Sequence, residues 1–130
     1  MRYVFACLLA VIFIMSTGAD AAKAGSIAGA WSGEGLVSLT TGQSERIRCR
    51  MRYEESSGRT LVVHVTCSHA HGIFKTTGRV VKLSNTRYSG RLYSEQHDVA
   101  GQVTISVNGR SQKIRATSAK GSATVNLTRR

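Results

Sequence analysis

The segment Arg46–Glu54 reads RIRCRMRYE, with apolar side chains at every odd position and charged side chains at every even position. A β-strand with one face buried and the other in water produces this alternation, because successive side chains point to opposite faces. The segment Leu61–Cys67, LVVHVTC, again places apolar residues at odd positions. Residues 55–60 between them read ESSGRT and are typical of a turn. These two segments predict a β-hairpin.

The cysteines predict the register of this hairpin. Because both strands bury odd positions, opposed residues must have numbers with an even sum. Pairing Glu55 with Leu61 places Cys49 directly opposite Cys67, where neighbouring strands hold Cβ atoms about 4.5–5.5 Å apart. A disulfide can close across that distance, so we expect Cys49–Cys67 to form one. A metal site is the competing interpretation, but Cys49 and Cys67 do not have the C-x-x-C spacing that is usual for metal ligands.

Further alternating segments follow at short spacing and predict an all-β fold. About eight antiparallel strands in one domain favour a small up-and-down β-barrel, with a β-sandwich as the alternative. Asn108-Gly109 is a strong hairpin signal, for which we expect a type I′ turn with positive φ at both central positions. The other predicted strands are Ala30–Leu39, Phe74–Leu83, Arg87–Glu95, Val99–Val107, Gln112–Ser118 and Ala123–Thr128.

Large core side chains are scarce. Beyond the first residues, the aromatic side chains are those of Trp31, Tyr53, Phe74, Tyr88 and Tyr93. A large cavity would remove packing that so small a domain needs. We therefore expect a filled barrel that works through its surface rather than through a lipid-carrying pocket.

Residues 1–21 are typical of a secretory signal peptide. Arg2 precedes the apolar run Val4–Met15, and the small-residue motif ADA follows at 19–21. The run is shorter than the roughly 20 residues that span a bilayer, which disfavours a membrane anchor. We expect cleavage after Ala21, with AKA at 22–24 as a second choice, and a single exported domain over residues 22–130. It would be secreted, or periplasmic in a Gram-negative host, with no transmembrane segment.

The chain is short and strongly basic. It has 130 residues and 18 Lys+Arg against 7 Asp+Glu, a net charge of +11. This length fits one domain and excludes a two-domain enzyme with a cleft between lobes. A hydrophobic fraction of 42% argues against a disordered polycation. Losing residues 1–21 removes Arg2 and Asp20, so the net charge of the mature chain is the same.

Arg46, Arg48, Arg50 and Arg52 form an arginine ladder on one face of the predicted hairpin. Their guanidinium groups recur about every 6.6 Å, which is two residues of strand rise. Such a line suits a polyanion, and the expected partners are anionic lipid, lipopolysaccharide or acidic polysaccharide. Sequence-specific nucleic-acid binding is not expected, because no exposed aromatic platform interleaves with the arginines. The alternative is a solvated face that keeps the barrel soluble.

The histidines are a second set of candidate metal ligands, besides the two cysteines. His69 and His71 share one face of a strand, a possible beginning of a zinc or copper site, and His97 would be a third ligand from a loop. Histidines at a strand end are more often surface residues, so we predict no metal site.

Catalytic motifs are absent from the sequence. It has no G-x-S-x-G elbow, no phosphate-binding glycine loop and no free cysteine after the predicted cleavage. Glu95, His97 and Asp98 lie together, but in a polar turn. We predict a binding protein rather than an enzyme, with no cofactor.

Gly29-Ala30-Trp31 opens the first predicted strand, and this G-x-W motif in an eight-stranded meander resembles the calycins, the lipocalin and avidin type of barrel. The resemblance implies that Trp31 packs at the closed end of the barrel. It also implies that an arginine of a late strand, Arg115 or Arg129, lies over the indole ring.

The layout also resembles the small exported bacterial inhibitors of metalloproteases. Those proteins are disulfide-bonded eight-stranded barrels with a tryptophan on the first strand, and a free N-terminal segment blocks the protease. That segment corresponds here to residues 22–26. The second hypothesis for function is therefore an inhibitor or interaction module for an exported protein.

Overall fold

A computed structural model describes residues 26–95 and 98–130, so the predicted signal peptide and His97 lie outside the described residues. Every regular element in these ranges is a β-strand. They contain no helix long and apolar enough to cross a membrane. The strands are β1 (Gly29–Leu39), β2 (Ser44–Glu55), β3 (Thr60–His69), β4 (Gly72–Ser84), β5 (Arg87–Ser94), β6 (Val99–Asn108), β7 (Ser111–Ser118) and β8 (Gly121–Arg129).

The strands form a closed antiparallel barrel. Each strand pairs with the next along the chain, and β8 pairs with β1. Closure leaves no unpaired sheet edge. The predicted eight-stranded barrel is confirmed, and the β-sandwich alternative is wrong.

The β2–β3 hairpin has the predicted register. Glu55 pairs with Leu61, and Cys49 pairs with Cys67. A disulfide joins these cysteines, whose Cα atoms lie 4.1 Å apart. Both side chains are buried inside the barrel, so the disulfide links neighbouring strands from within.

The β6–β7 hairpin is confirmed, but its turn differs from the prediction. Asn108 pairs with Ser111, so the central residues of the turn are Gly109 and Arg110. Of these two, only Gly109 has a positive φ, 61°. A glycine at the first central position is typical of a type II′ turn. The predicted type I′ turn is wrong because Asn108 belongs to the strand ladder.

The largest buried side chains gather at one end of the barrel. Trp31, Tyr53 and Tyr88 are all almost completely buried. They lie near the start of β1, the end of β2 and the start of β5, which the antiparallel order brings together. We call this the closed end. The open end is the opposite one, where the β1–β2, β3–β4, β5–β6 and β7–β8 turns lie.

Two glycines let β4 and β5 approach each other closely. A Cβ added at Gly78 would lie 2.0 Å from the carbonyl oxygen of Arg91, and one at Gly90 would lie 1.9 Å from that of Arg79. Such glycines are typical of the sharp bends by which a sheet curls into a small barrel.

Candidate ligand cavity and basic outer face

An arginine and a network of backbone carbonyls seal the closed end. The Trp31 Nε1–H donates a hydrogen bond of 2.9 Å to the Ile27 carbonyl. The Arg129 guanidinium carbon lies 4.5 Å from the indole centroid, and its nitrogens donate to the carbonyls of Ala28 and Ser26 at 2.8 and 2.6 Å. The arginine expected over Trp31 is therefore Arg129. Arg115 is exposed on the outer face.

Buried tyrosines complete the packing above this seal. The Tyr53 hydroxyl donates to Gln112 Oε1 at 2.6 Å. Burial is the main reason why the pKa of Tyr53 is raised far above its usual value. Burial also raises the pKa of Tyr88. Both tyrosines are thus neutral parts of the core.

A cavity of about 330 Å³ occupies the barrel interior toward the open end. It reaches the exposed Lys120 in the β7–β8 turn, which marks its mouth. The Cys49–Cys67 disulfide forms part of its wall. Most of the remaining wall is apolar and includes Met51, Val65, Leu92, Ile114, Ala116 and Val125.

The expectation of a filled barrel is wrong. Small residues occupy inward positions near the open end, among them Gly101, Ala116 and Ala123. The bulky side chains of Trp31 and Tyr53 lie at the other end. The number of aromatic residues limits how much of the interior can be filled, but their clustering at one end concentrates the unfilled volume into one cavity.

Two residues of the cavity wall, Thr76 and Ser94, carry hydroxyl groups. Thr76 and Ser94 belong to neighbouring strands, and the β4–β5 register, with Thr77 opposite Tyr93, puts them at the next opposed positions. The Thr76 Oγ1 atom is buried and has no hydrogen-bond partner among the described residues. The Ser94 hydroxyl donates to the Lys75 carbonyl over a long 3.4 Å. Sequence patterns gave no indication of this pair, because isolated Thr and Ser residues on strands are common.

The arginine ladder lies on the outer face, as its parity predicts, and all four arginines are exposed. Arg48 donates to Glu34 Oε1 at 2.6 Å, although both side chains are largely in water, which makes such a pair weak. Arg50 and Arg52 lie opposite Thr66 and His64 of β3. Among the described residues, neither of these arginines has an ion pair within 4 Å.

Further arginines extend the positive surface around the barrel. Arg79 on β4 and Arg91 on β5 are directly opposed and both exposed. Like charges at such positions repel each other. The outer face of β2 to β5 is therefore strongly basic, and most acidic side chains of the described residues lie at its ends or in its turns.

His69 and His71 both lie close to the carboxylate of Glu45, a residue that is distant from them in the sequence. Glu45 comes from β2, and its oxygens lie 3.5 Å from His69 Nδ1 and 3.7 Å from His71 Nε2. Within residues 26–95 and 98–130, no group of three or more His, Cys, Asp or Glu side chains is arranged to hold a metal ion.

The other sequence candidates lie at the ends of the barrel. Of the segment 22–26, only Ser26 is described, and its hydroxyl donates to Glu55 Oε1 at 3.0 Å. In the turn that follows β5, Asp98 accepts a hydrogen bond of 3.0 Å from the Tyr93 hydroxyl, which raises the pKa of Tyr93.

The sequence matches no protein-family profile and no curated protein closely enough to indicate a relative. Solved structures do share its fold. A redesigned β-barrel is 18% identical, with a TM-score of 0.66 over 83% of this chain and 96% of its own.

A second redesigned β-barrel, mFAP1 bound to DFHBI, is 14% identical, with a TM-score of 0.68 over 82% of this chain and 99% of its own. The S-type phycobiliprotein lyase CPES from Guillardia theta is 8% identical, with a TM-score of 0.53 over 80% of this chain and 88% of its own. At these identities the likeness shows the fold alone.

Proposed function

We propose that this protein binds a small, largely apolar ligand in the cavity at the open end of the barrel. The observation that carries the proposal is the cavity of about 330 Å³ with its apolar wall. Ligand pockets typically measure about 300–1,000 Å³ and are lined mainly by apolar side chains. A ligand seated there would remove its own apolar surface and that of the wall from water.

The closed end supports this proposal, because it supplies the rigidity that an unfilled interior lacks. Trp31, Arg129 and Tyr53 fix one half of the barrel by packing and hydrogen bonds, and the disulfide ties β2 to β3 at the cavity wall. The similar barrel mFAP1 is bound to DFHBI, so a barrel of this size and topology is compatible with a small ligand.

A fluorescence titration with N-phenyl-1-naphthylamine, a neutral probe that brightens in apolar surroundings, tests the proposal. We expect saturable binding of one probe per chain. Ala116→Phe and Ala123→Leu place extra volume in the cavity and should abolish the signal. Ala100→Phe adds the same ring as Ala116→Phe to the outer face, where Ala100 is exposed, and should leave binding unchanged. Equal binding by all variants would contradict the proposal.

We also propose polyanion binding by the arginine ladder as a second function. The specific observation is that Arg50 and Arg52 are exposed in line on β2, with no ion pair to a described acidic residue. Guanidinium groups in this arrangement favour phosphate, sulfate or carboxylate groups that repeat along a chain or surface. Anionic lipid, lipopolysaccharide and acidic polysaccharide carry such groups.

Two variants with the same loss of charge test this second function. One changes Arg46, Arg48, Arg50 and Arg52 to Gln, and the other changes Arg79, Arg87, Arg91 and Arg115, which are also exposed. Binding to lipopolysaccharide, anionic vesicles and heparin is measured from about 50 to 200 mM salt, where released counterions weaken electrostatic binding steeply. Selective loss of binding in the first variant supports polyanion binding by the arginine ladder. Equal loss in both means that net charge alone attracts the polyanion.

Export of the protein is part of the proposal. The Cys49–Cys67 disulfide supports it, because disulfides persist mainly in oxidising compartments. Mass spectrometry of the protein from a secreting host should find a chain that begins at residue 22. An uncleaved chain retained in the reducing cytosol would contradict it.

A further inference from the structure

We propose that the cavity recognises a ligand with a neutral hydrogen-bonding group, which Thr76 and Ser94 bind from the wall. This inference rests on the proposed function of the cavity and names the chemistry that the ligand presents there. Thr76 Oγ1 is buried without a partner among the described residues, and such a hydroxyl costs free energy in the unliganded protein.

Thr76 supplies the first hydrogen-bonding group. Its Oγ1 atom is buried and has no partner within residues 26–95 and 98–130, while the residue itself lines the cavity. Rotation about the Cα–Cβ bond moves the hydroxyl between staggered positions without moving the backbone. A ligand atom in the cavity would therefore give this hydroxyl the partner that the barrel wall does not.

Ser94 supplies the second group. It is buried and lines the same cavity from the neighbouring strand. In the part of the chain that the structure describes, its hydroxyl has one partner, the Lys75 carbonyl at 3.4 Å, and a hydrogen bond of that length is weak. Its oxygen also keeps lone pairs that can accept a hydrogen bond from a ligand. Together the two hydroxyls can bind one ligand group that both donates and accepts, such as a hydroxyl, a carboxamide or a protonated phenol.

The ligand group at this position is neutral. The described cavity wall carries no charged side chain except Lys120, which lies at the mouth. Burying an ionised group beside two hydroxyls and an apolar wall would cost more free energy than those hydroxyls return. The expected ligand therefore has an apolar body and one neutral hydroxyl or amide group.

Naphthalene and 2-naphthol test this inference, because they share a body and differ by one hydroxyl. Their affinities are measured by titration calorimetry for the wild type and for Thr76→Val, which keeps the side-chain shape. We expect Thr76→Val to weaken the binding of 2-naphthol by about two- to tenfold, which corresponds to the loss of one hydrogen bond. The affinity for naphthalene should be unchanged. Ser94→Ala should also weaken the binding of 2-naphthol.

The matched control is Thr77→Val, which makes the same change at the next residue on the exposed outer face. It should alter neither affinity. Thr76→Val should also raise the midpoint of thermal unfolding, because it removes an unpartnered buried hydroxyl; a merely structural threonine would lower it. Binding of both probes with no loss of 2-naphthol affinity in Thr76→Val would overturn this inference alone. If neither probe binds, the proposed function fails and this inference fails with it.

Discussion

The guanidinium carbon of Arg129 lies 4.5 Å from the centroid of the Trp31 ring. The two residues join the last strand of the barrel to the first, which pair at this position. The same guanidinium binds the carbonyls of Ser26 and Ala28, so it ties the chain ahead of β1 to the closed end. One side chain thus combines a cation–π contact with charge-assisted hydrogen bonds, each of which stabilises the folded state.

Arg129→Ala should lower the free energy of unfolding by about 2–4 kcal/mol, because the cation–π contact and the hydrogen bonds to carbonyls are lost together. Urea denaturation at neutral pH measures this change. The control is Arg115→Ala, which removes an exposed arginine from β7 and should change stability by no more than about 0.5 kcal/mol. Similar effects of the two substitutions would show that the closed end does not depend on Arg129.

Replacing both Cys49 and Cys67 with Ala should lower the free energy of unfolding by about 2–4 kcal/mol. The disulfide closes a loop between residues 18 apart in sequence, which restricts the unfolded chain. Denaturation of the oxidised wild type, the reduced wild type and the double variant measures the effect. Equal stability of the oxidised and reduced wild type would contradict a stabilising role.

Gly90→Ala should lower stability by about 3 kcal/mol or more, or prevent folding, because overpacking against a backbone cannot relax easily. The added Cβ would lie 1.9 Å from the Arg79 carbonyl oxygen, so β4 and β5 would have to separate. Ser89→Ala, one residue earlier on the same strand, should cost no more than about 1 kcal/mol. Soluble expression and the thermal midpoint report both effects. A stable Gly90→Ala barrel would contradict the need for glycine where β4 and β5 approach each other.

The stability of the barrel should fall above about pH 10, where the tyrosines of the unfolded chain ionise. Burial raises the pKa of Tyr53 in the folded state. The stability that the neutral Tyr53 contributes is therefore fully present below the pKa of tyrosine in the unfolded chain, and it is lost as the pH rises above that value. The slope for this residue is up to about 1.4 kcal/mol per pH unit.

Denaturation of wild type and Tyr53→Phe between about pH 8 and pH 11 measures this dependence on tyrosine ionisation. The variant loses the hydrogen bond to Gln112 at every pH, so it should be less stable at pH 8. Its stability should then fall less steeply at high pH. If the stability of the two proteins fell equally steeply with pH, ionisation of Tyr53 would not be the cause of the fall.

Most of the fold followed from the sequence, because local signals agreed with one another. The alternation of Arg46–Glu54, the turn at residues 55–60 and the two cysteines all predicted a single register, and the structure has it. The resemblance to the calycins, which the G-x-W motif carries, implied that Trp31 lies at the closed end, and the structure has it there. The choice between Arg115 and Arg129 needed the structure, because both lie on late strands and only the pairing of β8 with β1 brings Arg129 over the ring.

The cavity was not predictable from composition. Counting aromatic residues estimates the total volume of large side chains, whereas a cavity depends on where the barrel places them. Glu45 near His69 and His71 was missed for a similar reason, since the carboxylate comes from a different strand. The unpartnered hydroxyl of Thr76 depends on its whole surroundings, which no short motif encodes.

Methyl NMR of the protein with naphthalene tests the central claim most directly. A ligand in the cavity should give intermolecular nuclear Overhauser effects to the methyl groups of Val65, Ile114 and Val125, which line it. Ile73 and Leu83 are exposed on the outer face and should show none. Effects confined to Ile73 and Leu83, with none at the cavity methyls, would show that the probe only adheres to the surface and would contradict the account of a ligand-binding barrel.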